Sequence, residues 1–130
     1  MKILTVDDSR TIRRLVKKYL GGFPQLTIEE AEDGKEGLEK ALSESYDLII
    51  LNVTMPVIDG TQMLEKLREN DKTKNTRVLM LTAESRKDLV LNMIQLGISD
   101  YIVKPFVQEV FVHKVSKVLG LDPSASSRMS

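Results

Sequence analysis

The sequence predicts an α/β fold in which five parallel strands form one sheet with helices on both faces. Short aliphatic runs alternate along the chain with longer segments whose apolar residues recur at helical spacing. The central runs, at residues 48–51 and 78–81, are apolar at every position, as expected for strands buried on both faces of a parallel sheet. With 130 residues, the chain is long enough for one such domain and too short for two.

The five predicted strands are the aliphatic runs at residues 3–6, 26–28, 48–51, 78–81 and 101–103. In an open parallel sheet, ligands bind beyond the carboxyl ends of the strands, where the strand order reverses. The residues that directly follow these runs are therefore the first candidates for chemistry.

The segments between the strands have the periodicity of amphipathic helices. Ser9 is the predicted N-cap of the first helix and Gly21 ends it. The other four helices are predicted at residues 35–43, 61–70, 85–96 and 108–119. The apolar face of the first helix comprises Ile12, Leu15, Val16, Tyr19 and Leu20. The solvated face is expected to carry Arg13, Arg14, Lys17 and Lys18. The apolar face of the fourth is expected to contain Leu89, Met93, Ile94 and Leu96.

Composition excludes several classes of protein. Nineteen basic residues balance nineteen acidic ones, so no net field would attract nucleic acid or an anionic membrane. The chain has no cysteine, which excludes disulfides and thiolate metal sites. It shows no signal-peptide pattern and no apolar stretch near the roughly 18 residues of a membrane span. We therefore expect a cytoplasmic protein with a domain at residues 1–120. Residues 121–130 would form a flexible Ser-rich tail or a linker to a further domain.

Polar residues follow four of the predicted strands. They are Asp7 and Asp8 after the first, Asn52 and Thr54 after the third, Thr82 after the fourth and Lys104 after the fifth. Carboxylates and a backbone carbonyl suit Mg²⁺, and a cation and a lysine offset the charge of a transferring phosphoryl group. Either aspartate alone is also explained as a helix cap, but turn chemistry does not explain polar residues at four strand ends. The pattern predicts a site for a divalent metal and a phosphoryl group.

Several segments, in order and at matching spacing over about residues 2–119, resemble the signature of response-regulator receiver domains. The segments are Val6-Asp7-Asp8-Ser9, Met55-Pro56-Val57-Ile58-Asp59-Gly60, Leu81-Thr82-Ala83-Glu84 and Val103-Lys104-Pro105-Phe106. The segment Glu30-Ala31-Glu32-Asp33-Gly34 and the placing of Tyr101 three residues before Lys104 are similar to single-domain chemotaxis regulators of the CheY type.

The resemblance implies a flavodoxin-like (βα)5 doubly wound sheet with strand order 2-1-3-4-5, and a signalling switch instead of an enzyme. Asp8 would bind Mg²⁺ directly, Asp7 would help through water, and the Thr54 carbonyl would be a further ligand. Thr82 and Lys104 would contact the phosphoryl group.

The resemblance also implies an output surface and partners. Tyr101 would turn inward when Thr82 moves toward the phosphoryl group. The exposed candidates on the output surface are Val90, Tyr101, Lys114 and Lys117. The implied partners are a histidine kinase upstream and a target such as a flagellar motor switch protein downstream. We expect a monomer that binds neither nucleic acid nor membranes.

Asn52 departs from the family pattern, because it occupies the position at which receivers carry the phosphoacceptor aspartate. An amide has no anionic oxygen to attack phosphorus, so phosphorylation at this position should be lost. Metal binding should weaken, since two formal negative charges remain where the family has three. Two explanations stay open: an engineered Asp→Asn change that blocks phosphorylation, or a natural pseudo-receiver that works without phosphate. The first is favoured because every other phosphorylation residue is retained.

A small phosphatase of the haloacid-dehalogenase type is the least favoured alternative. The segment Asp59-Gly60-Thr61 suggests it, but its motif needs an aspartate where Val57 stands. The one histidine, His113, is expected to be solvated or half-buried, since it has no partners that would make it a metal ligand. The methionines that fit core positions are Met63, Met80 and Met93.

Overall fold

The computed structural model describes residues 1–83 and 86–124, and within them five strands alternate with five helices. In chain order the elements are β1 Lys2–Val6, α1 Arg10–Leu20, β2 Thr27–Ala31, α2 Gly34–Ser43, β3 Leu48–Asn52, α3 Gly60–Glu69, β4 Val78–Thr82, α4 Lys87–Gln95, β5 Asp100–Val103 and α5 Gln108–Leu119. Most predicted boundaries are confirmed to within two residues. The predicted tail falls mostly on residues 125–130, and the predicted start of the fourth helix falls on residue 85; both lie outside the described residues.

The strands form one parallel sheet in the order β2-β1-β3-β4-β5, which confirms the predicted order and the flavodoxin-like fold. The largest boundary error concerns β2, which extends to Ala31 instead of ending at Ile28. Glu29 and Glu30 are polar and lie beyond the predicted aliphatic run, but both pair in register with β1 at the edge of the sheet. Backbone pairing with β1 therefore overrides the local polar sequence.

Alternating strand residues build a separate core on each face of the sheet. On one face, strand residues such as Leu51 and Met80 pack with Met63 and Leu67 of α3 and with Met93 of α4. The three methionines predicted in the core are fully buried. The other face packs against α1 and α5, through a cluster that contains Ile3, Val16, Leu20, Ile50, Leu81, Phe111 and Val115. Both faces of the sheet are thus covered, which explains the continuously apolar central strands.

Two helix residues lie on the face opposite to the predicted one. Ile94 was predicted in the core but is 54% exposed, because α4 buries Met93 fully and turns its neighbour to solvent. Arg13 was predicted on the solvated face of α1, yet only 6% of it is exposed. It shares the buried side of the helix with Val16 and Leu20, three and seven residues later. Among the helices in the described part of the chain, none has the length and apolar character needed to cross a bilayer.

Candidate functional site

The sheet brings the sequence-predicted site residues together at the carboxyl ends of its strands. β1 pairs with β3 through Val6 and Leu51, so Asp7, which directly follows β1, lies next to Asn52, the last residue of β3. β4 pairs with β5 through Thr82 and Val103, and the Lys104 backbone N–H donates to the Thr82 carbonyl at 2.7 Å. Parallel pairing therefore joins groups that lie far apart in the sequence.

Asn52 is the centre of this group of side chains. Its Nδ2 donates to the Thr54 carbonyl at 2.7 Å, to Asp7 Oδ1 at 3.3 Å and to Asp8 Oδ1 at 3.4 Å. Its Oδ1 accepts a hydrogen bond from Lys104 Nζ at 2.8 Å. Both ends of this buried amide are therefore satisfied by protein groups.

The two aspartates have different surroundings. Asp7 is completely buried, whereas Asp8 is exposed. Burial raises the pKa of the Asp7 carboxyl, and the charge of Asp8 adds to this effect. The Ser9 backbone N–H, at 2.9 Å from Asp7 Oδ1, and Lys104 Nζ, at 3.4 Å from Oδ2, act in the opposite direction. Burial outweighs these two contacts, so the net direction of the pKa shift is upward.

Neither aspartate of the acidic pair caps α1. Ser9 is the N-cap, as predicted, and its Oγ accepts a hydrogen bond from the Ile12 backbone N–H at 3.2 Å. Asp59, the residue that suggested a phosphatase, caps α3 instead, since its Oδ1 accepts from the Thr61 hydroxyl and the Gln62 backbone N–H. Its carboxylate therefore has a structural role at the start of that helix.

Arg13 holds the backbone of the acidic pair in place, a role that the sequence pattern did not predict. Its Nη1 donates to the Asp7 carbonyl at 2.6 Å and its Nε donates to Glu30 Oε1 at 3.0 Å. Lys17 Nζ lies 3.3 Å from the other oxygen of Glu30. This network fixes the backbone that carries the Asp7 carboxylate. The helical spacing of Arg13 with Val16 and Leu20 was the available signal.

The loop that follows β3 is held tightly against the end of that strand. A Cβ atom at Gly60 would lie 2.1 Å from the Asn52 carbonyl oxygen, so only glycine fits there. The Gly60 backbone N–H also donates to the Val53 carbonyl at 2.7 Å. Within the loop, the exposed Val57 has a positive φ of 70°, a region that β-branched residues rarely adopt. The start of α3 is therefore fixed directly beside Asn52.

The predicted output residues lie near α4, β5 and α5 but differ in exposure. Lys117 is exposed, as is His113, whereas Val90, Tyr101 and Lys114 are only partly exposed, so the expectation of exposure is wrong for those three. Val90 and Tyr101 pack against the core. Lys114 Nζ donates to the Tyr101 carbonyl at 2.8 Å and lies 5.3 Å from the centre of the Tyr101 ring. The aromatic ring and the lysine therefore hold each other in place.

The oxygens expected to bind a metal converge on a single point. Asp7 Oδ1, Asp8 Oδ1 and the Thr54 carbonyl all face Asn52 Nδ2. Hard oxygen ligands of this kind suit Mg²⁺, but here a hydrogen-bond donor stands at their centre. In the described part of the chain, no group of three or more His, Cys, Asp or Glu side chains is arranged to hold a metal ion.

Comparison with known proteins places this site in a family. The sequence profile of the response regulator receiver domain matches residues 3–116. The chain is 36% identical over 118 residues to the chemotaxis protein CheY of Pseudomonas aeruginosa, covering 91% of this chain and 95% of that protein. It is 35% identical over 118 residues to the chemotaxis protein CheY-3 of Vibrio cholerae, covering 91% of each chain.

Solved structures give the same result. The fold matches the chemotaxis response regulator CheY4 of Vibrio cholerae with a TM-score of 0.83 at 36% identity, covering 91% of this chain and 98% of that one. The receiver domain of the Francisella response regulator 1452 also gives a TM-score of 0.83, at 28% identity, over 92% of this chain and 96% of that one. The chain therefore belongs to the family of response regulator receiver domains and is similar to its chemotaxis proteins.

Proposed function

We propose that this chain is a receiver in which Asn52 occupies the phosphoacceptor position and prevents aspartyl phosphorylation. The observation that carries the proposal is the position of Asn52 between Lys104 Nζ on one side and the acidic pair on the other. A phosphoryl acceptor needs this arrangement, because a lysine and a cation must both reach the oxygens of the transferred group.

The chemistry of the amide explains the block. A carboxylate offers an anionic oxygen that attacks phosphorus, whereas the lone pair of an amide nitrogen is delocalised and its oxygen is neutral. Thr82 and Lys104 would still contact a phosphoryl group at this site, Lys104 by offsetting negative charge. In phosphorylation, Thr82 and Lys104 can act only when residue 52 is an aspartate that accepts the phosphoryl group.

Mg²⁺ is the cation that we propose for the site when position 52 is an aspartate. Asp7, Asp8, residue 52 and the Thr54 carbonyl would hold it, and the bound ion would offset charge on the phosphoryl oxygens. With Asn52 the site has two formal negative charges, so the affinity for the cation should be lower.

The partners are proposed from the family and from the surface around Tyr101. A histidine kinase would dock at the site, and a downstream protein would bind the surface formed by α4, β5 and α5, which contains Val90, Tyr101, Lys114 and Lys117. The resemblance to chemotaxis regulators makes a flagellar motor switch protein the first target to test. We propose that the chain acts as a cytoplasmic monomer.

A phosphate-independent binding module is the second candidate. It is favoured by the satisfied hydrogen bonds of Asn52, which hold the strand ends together without a cation. In that case Asn52 is natural and the resting conformation itself binds the partner. If Asn52 is instead an engineered replacement of aspartate, the reversal to aspartate should recover phosphorylation.

Acetyl phosphate and MgCl₂ test the proposal directly. We expect mass spectrometry to show one added phosphoryl group on Asn52→Asp and none on the unmodified chain or on Asn52→Ala, the matched variant without an acceptor. NMR signals of Tyr101 should shift only in the phosphorylated variant. An Asn52→Asp variant that takes up no phosphoryl group would contradict the proposal. Turnover of a simple phosphoester by the unmodified chain would indicate a phosphatase instead.

A further inference from the structure

The hydrogen-bonding partners of Asn52 fix the orientation of its amide group. Lys104 Nζ, at 2.8 Å from Oδ1, can only donate. The groups around Nδ2 are two carboxylate oxygens and a backbone carbonyl oxygen. An ionised carboxylate and a carbonyl can only accept hydrogen bonds. Rotating the amide by half a turn would place its N–H groups against the ammonium and its oxygen against three acceptors. Only one orientation therefore satisfies the site.

We infer that the NH₂ group of Asn52 takes the place of the divalent cation, and that Lys104 and a cation compete for the one carbonyl oxygen of Asn52. The inference rests on the proposed function, because it takes Asp7, Asp8 and Thr54 as the cation ligands. The donor at Nδ2 satisfies the same three oxygens that the cation would satisfy.

The competition follows from the difference between an amide and a carboxylate. A carboxylate at position 52 has two equivalent oxygens, so one can face the lysine while the other faces the cation. An amide has a single oxygen, which Lys104 already holds. A cation that binds at the acidic pair must displace the NH₂ group, and the rotated amide would then lose its charge-assisted hydrogen bond with the lysine.

The hydrogen-bond lengths indicate that the NH₂ group of Asn52 replaces the cation only in part. The bond to the Thr54 carbonyl is short, at 2.7 Å, whereas those to Asp7 and Asp8 are long, at 3.3 and 3.4 Å. Two amide hydrogens are shared among three acceptors, so the aspartates are held more weakly than the loop carbonyl. The hydrogen bonds of Asn52 therefore hold the site together without a metal ion, but part of the negative charge of the aspartates is not neutralised. Lys104 Nζ, at 3.4 Å from Asp7 Oδ2, offsets some of this charge.

The first test uses the side-chain amide signals of Asn52 in the metal-free, unmodified chain. We expect its two NH₂ protons to exchange with solvent at least about tenfold more slowly than those of the exposed Asn92, because they are hydrogen-bonded and buried. Saturating MgCl₂ should remove this protection and shift the signals of Lys104. Exchange as fast as that of Asn92, or protection that persists in the magnesium-bound protein, would overturn the inference.

The second test is a double-mutant cycle on Mg²⁺ affinity, measured by calorimetry. Lys104→Met removes the competing donor but also a positive charge, so the same change is made in an Asn52→Ala background, which has no carbonyl oxygen to compete for. We expect Lys104→Met to tighten Mg²⁺ binding about tenfold more in the Asn52 chain than in the Asn52→Ala chain. Equal tightening in both backgrounds would mean that only the charge of the lysine matters.

The two proposals fail in distinguishable ways. If Asn52→Asp binds Mg²⁺ and accepts phosphate but the Asn52 amide is unprotected, only the inference fails. If the amide is protected but Asn52→Asp takes up no phosphate, the proposed function fails, and the role of the amide as a cation substitute loses its basis. Should the variants be poorly folded, the amide exchange of the unmodified chain still decides the inference.

Discussion

The two ends of the sheet each contain a half-buried cation, but the partners of that cation differ. At the carboxyl end, Lys104 contacts the side chains of Asn52 and Asp7. At the amino end, the Arg68 guanidinium donates to four backbone carbonyls of the described residues, at 2.7 to 3.2 Å. Those carbonyls belong to Thr73, Lys74, Leu96 and Gly97, which precede β4 or β5 in the chain.

This difference separates a site whose polar groups can exchange binding partners from a contact that only stabilises the fold. Backbone carbonyls do not ionise, and Arg68 ties the end of α3 to the loops before β4 and β5 through four of them. Burial lowers the pKa of the Arg68 guanidinium, but arginine remains charged in proteins. Carboxylates, an amide and an ammonium exchange partners with ions and phosphoryl groups. We expect mutations at the amino end to change stability alone, and mutations at the carboxyl end to change stability and ligand response together.

Arg68→Ala should produce the largest loss of stability. The four carbonyl oxygens that accept from Arg68 lose their donor, and we expect the free energy of unfolding to fall by about 3 kcal/mol. Urea unfolding measures this change, and Arg14→Ala is the control because Arg14 is exposed. The Mg²⁺ affinity should stay that of the unmodified chain. A change in that affinity would show that the two ends are coupled.

Asn52→Asp should destabilise the metal-free chain by about 2 kcal/mol, since a third carboxylate then lies beside Asp7 and Asp8. MgCl₂ should restore this loss, and thermal unfolding with and without the salt measures both effects. The unmodified chain and Arg68→Ala serve as controls, in which we expect a much smaller response. Equal magnesium effects in all three proteins would remove position 52 from the metal site.

Glu30→Gln tests the network behind the acidic pair through its pH dependence. Burial raises the pKa of Glu30, but hydrogen bonds and charges from Arg13 and Lys17 lower it more, so the net direction is downward. The ionised carboxylate therefore stabilises the fold at neutral pH, and this contribution is lost as the pH falls below its ordinary pKa of 4.5.

Because Glu30 is about one-third exposed, solvent screening limits the effect, and we expect Glu30→Gln to destabilise the chain by at most about 1 kcal/mol at pH 7. The difference from the unmodified chain should shrink near pH 3 in urea unfolding curves. Glu39→Gln, at an exposed position of α2, is the matched control. A difference that grows on acidification would contradict the assigned direction.

Val57→Gly should give the smallest effect and the one increase in stability. Relief of the positive φ of 70° favours glycine, although glycine also gains entropy in the unfolded chain, so we expect a net gain of about 0.5 kcal/mol. Val57→Ala is the control, because alanine retains the Cβ atom that causes the strain. Thermal unfolding distinguishes the two variants, and an equal response would place the effect in the valine side chain instead of the backbone.

Local patterns predicted the fold well where one pattern governs each element. The sequence was sufficient for α5, because burial of one helical face leaves apolar residues at helical spacing. It was also sufficient for β3 and β4, because burial of both faces leaves a continuous aliphatic run. The pattern failed at β2, where Glu29 and Glu30 pair at an edge, and at Arg13, whose charge concealed its place on a buried face.

The site was predicted as a set of residue types at strand ends, and the contacts among them were not. Asp7, Asn52 and Lys104 could be assigned to one edge because parallel strands place their carboxyl ends together. The support from Arg13 and the close approach of Gly60 to the Asn52 carbonyl depend on the distances between elements. Such distances leave little trace in a single sequence.

By itself, the sequence determined the α/β class, the edge of the sheet that carries the site and the presence of an amide among its carboxylates. It did so because periodicity and strand-end position are properties of neighbouring residues. Only the tertiary structure decided that the Asn52 amide donates toward the acidic pair and accepts from Lys104. That orientation is set by partners up to 52 residues away, and it exists only once β1, β3, β4 and β5 lie side by side.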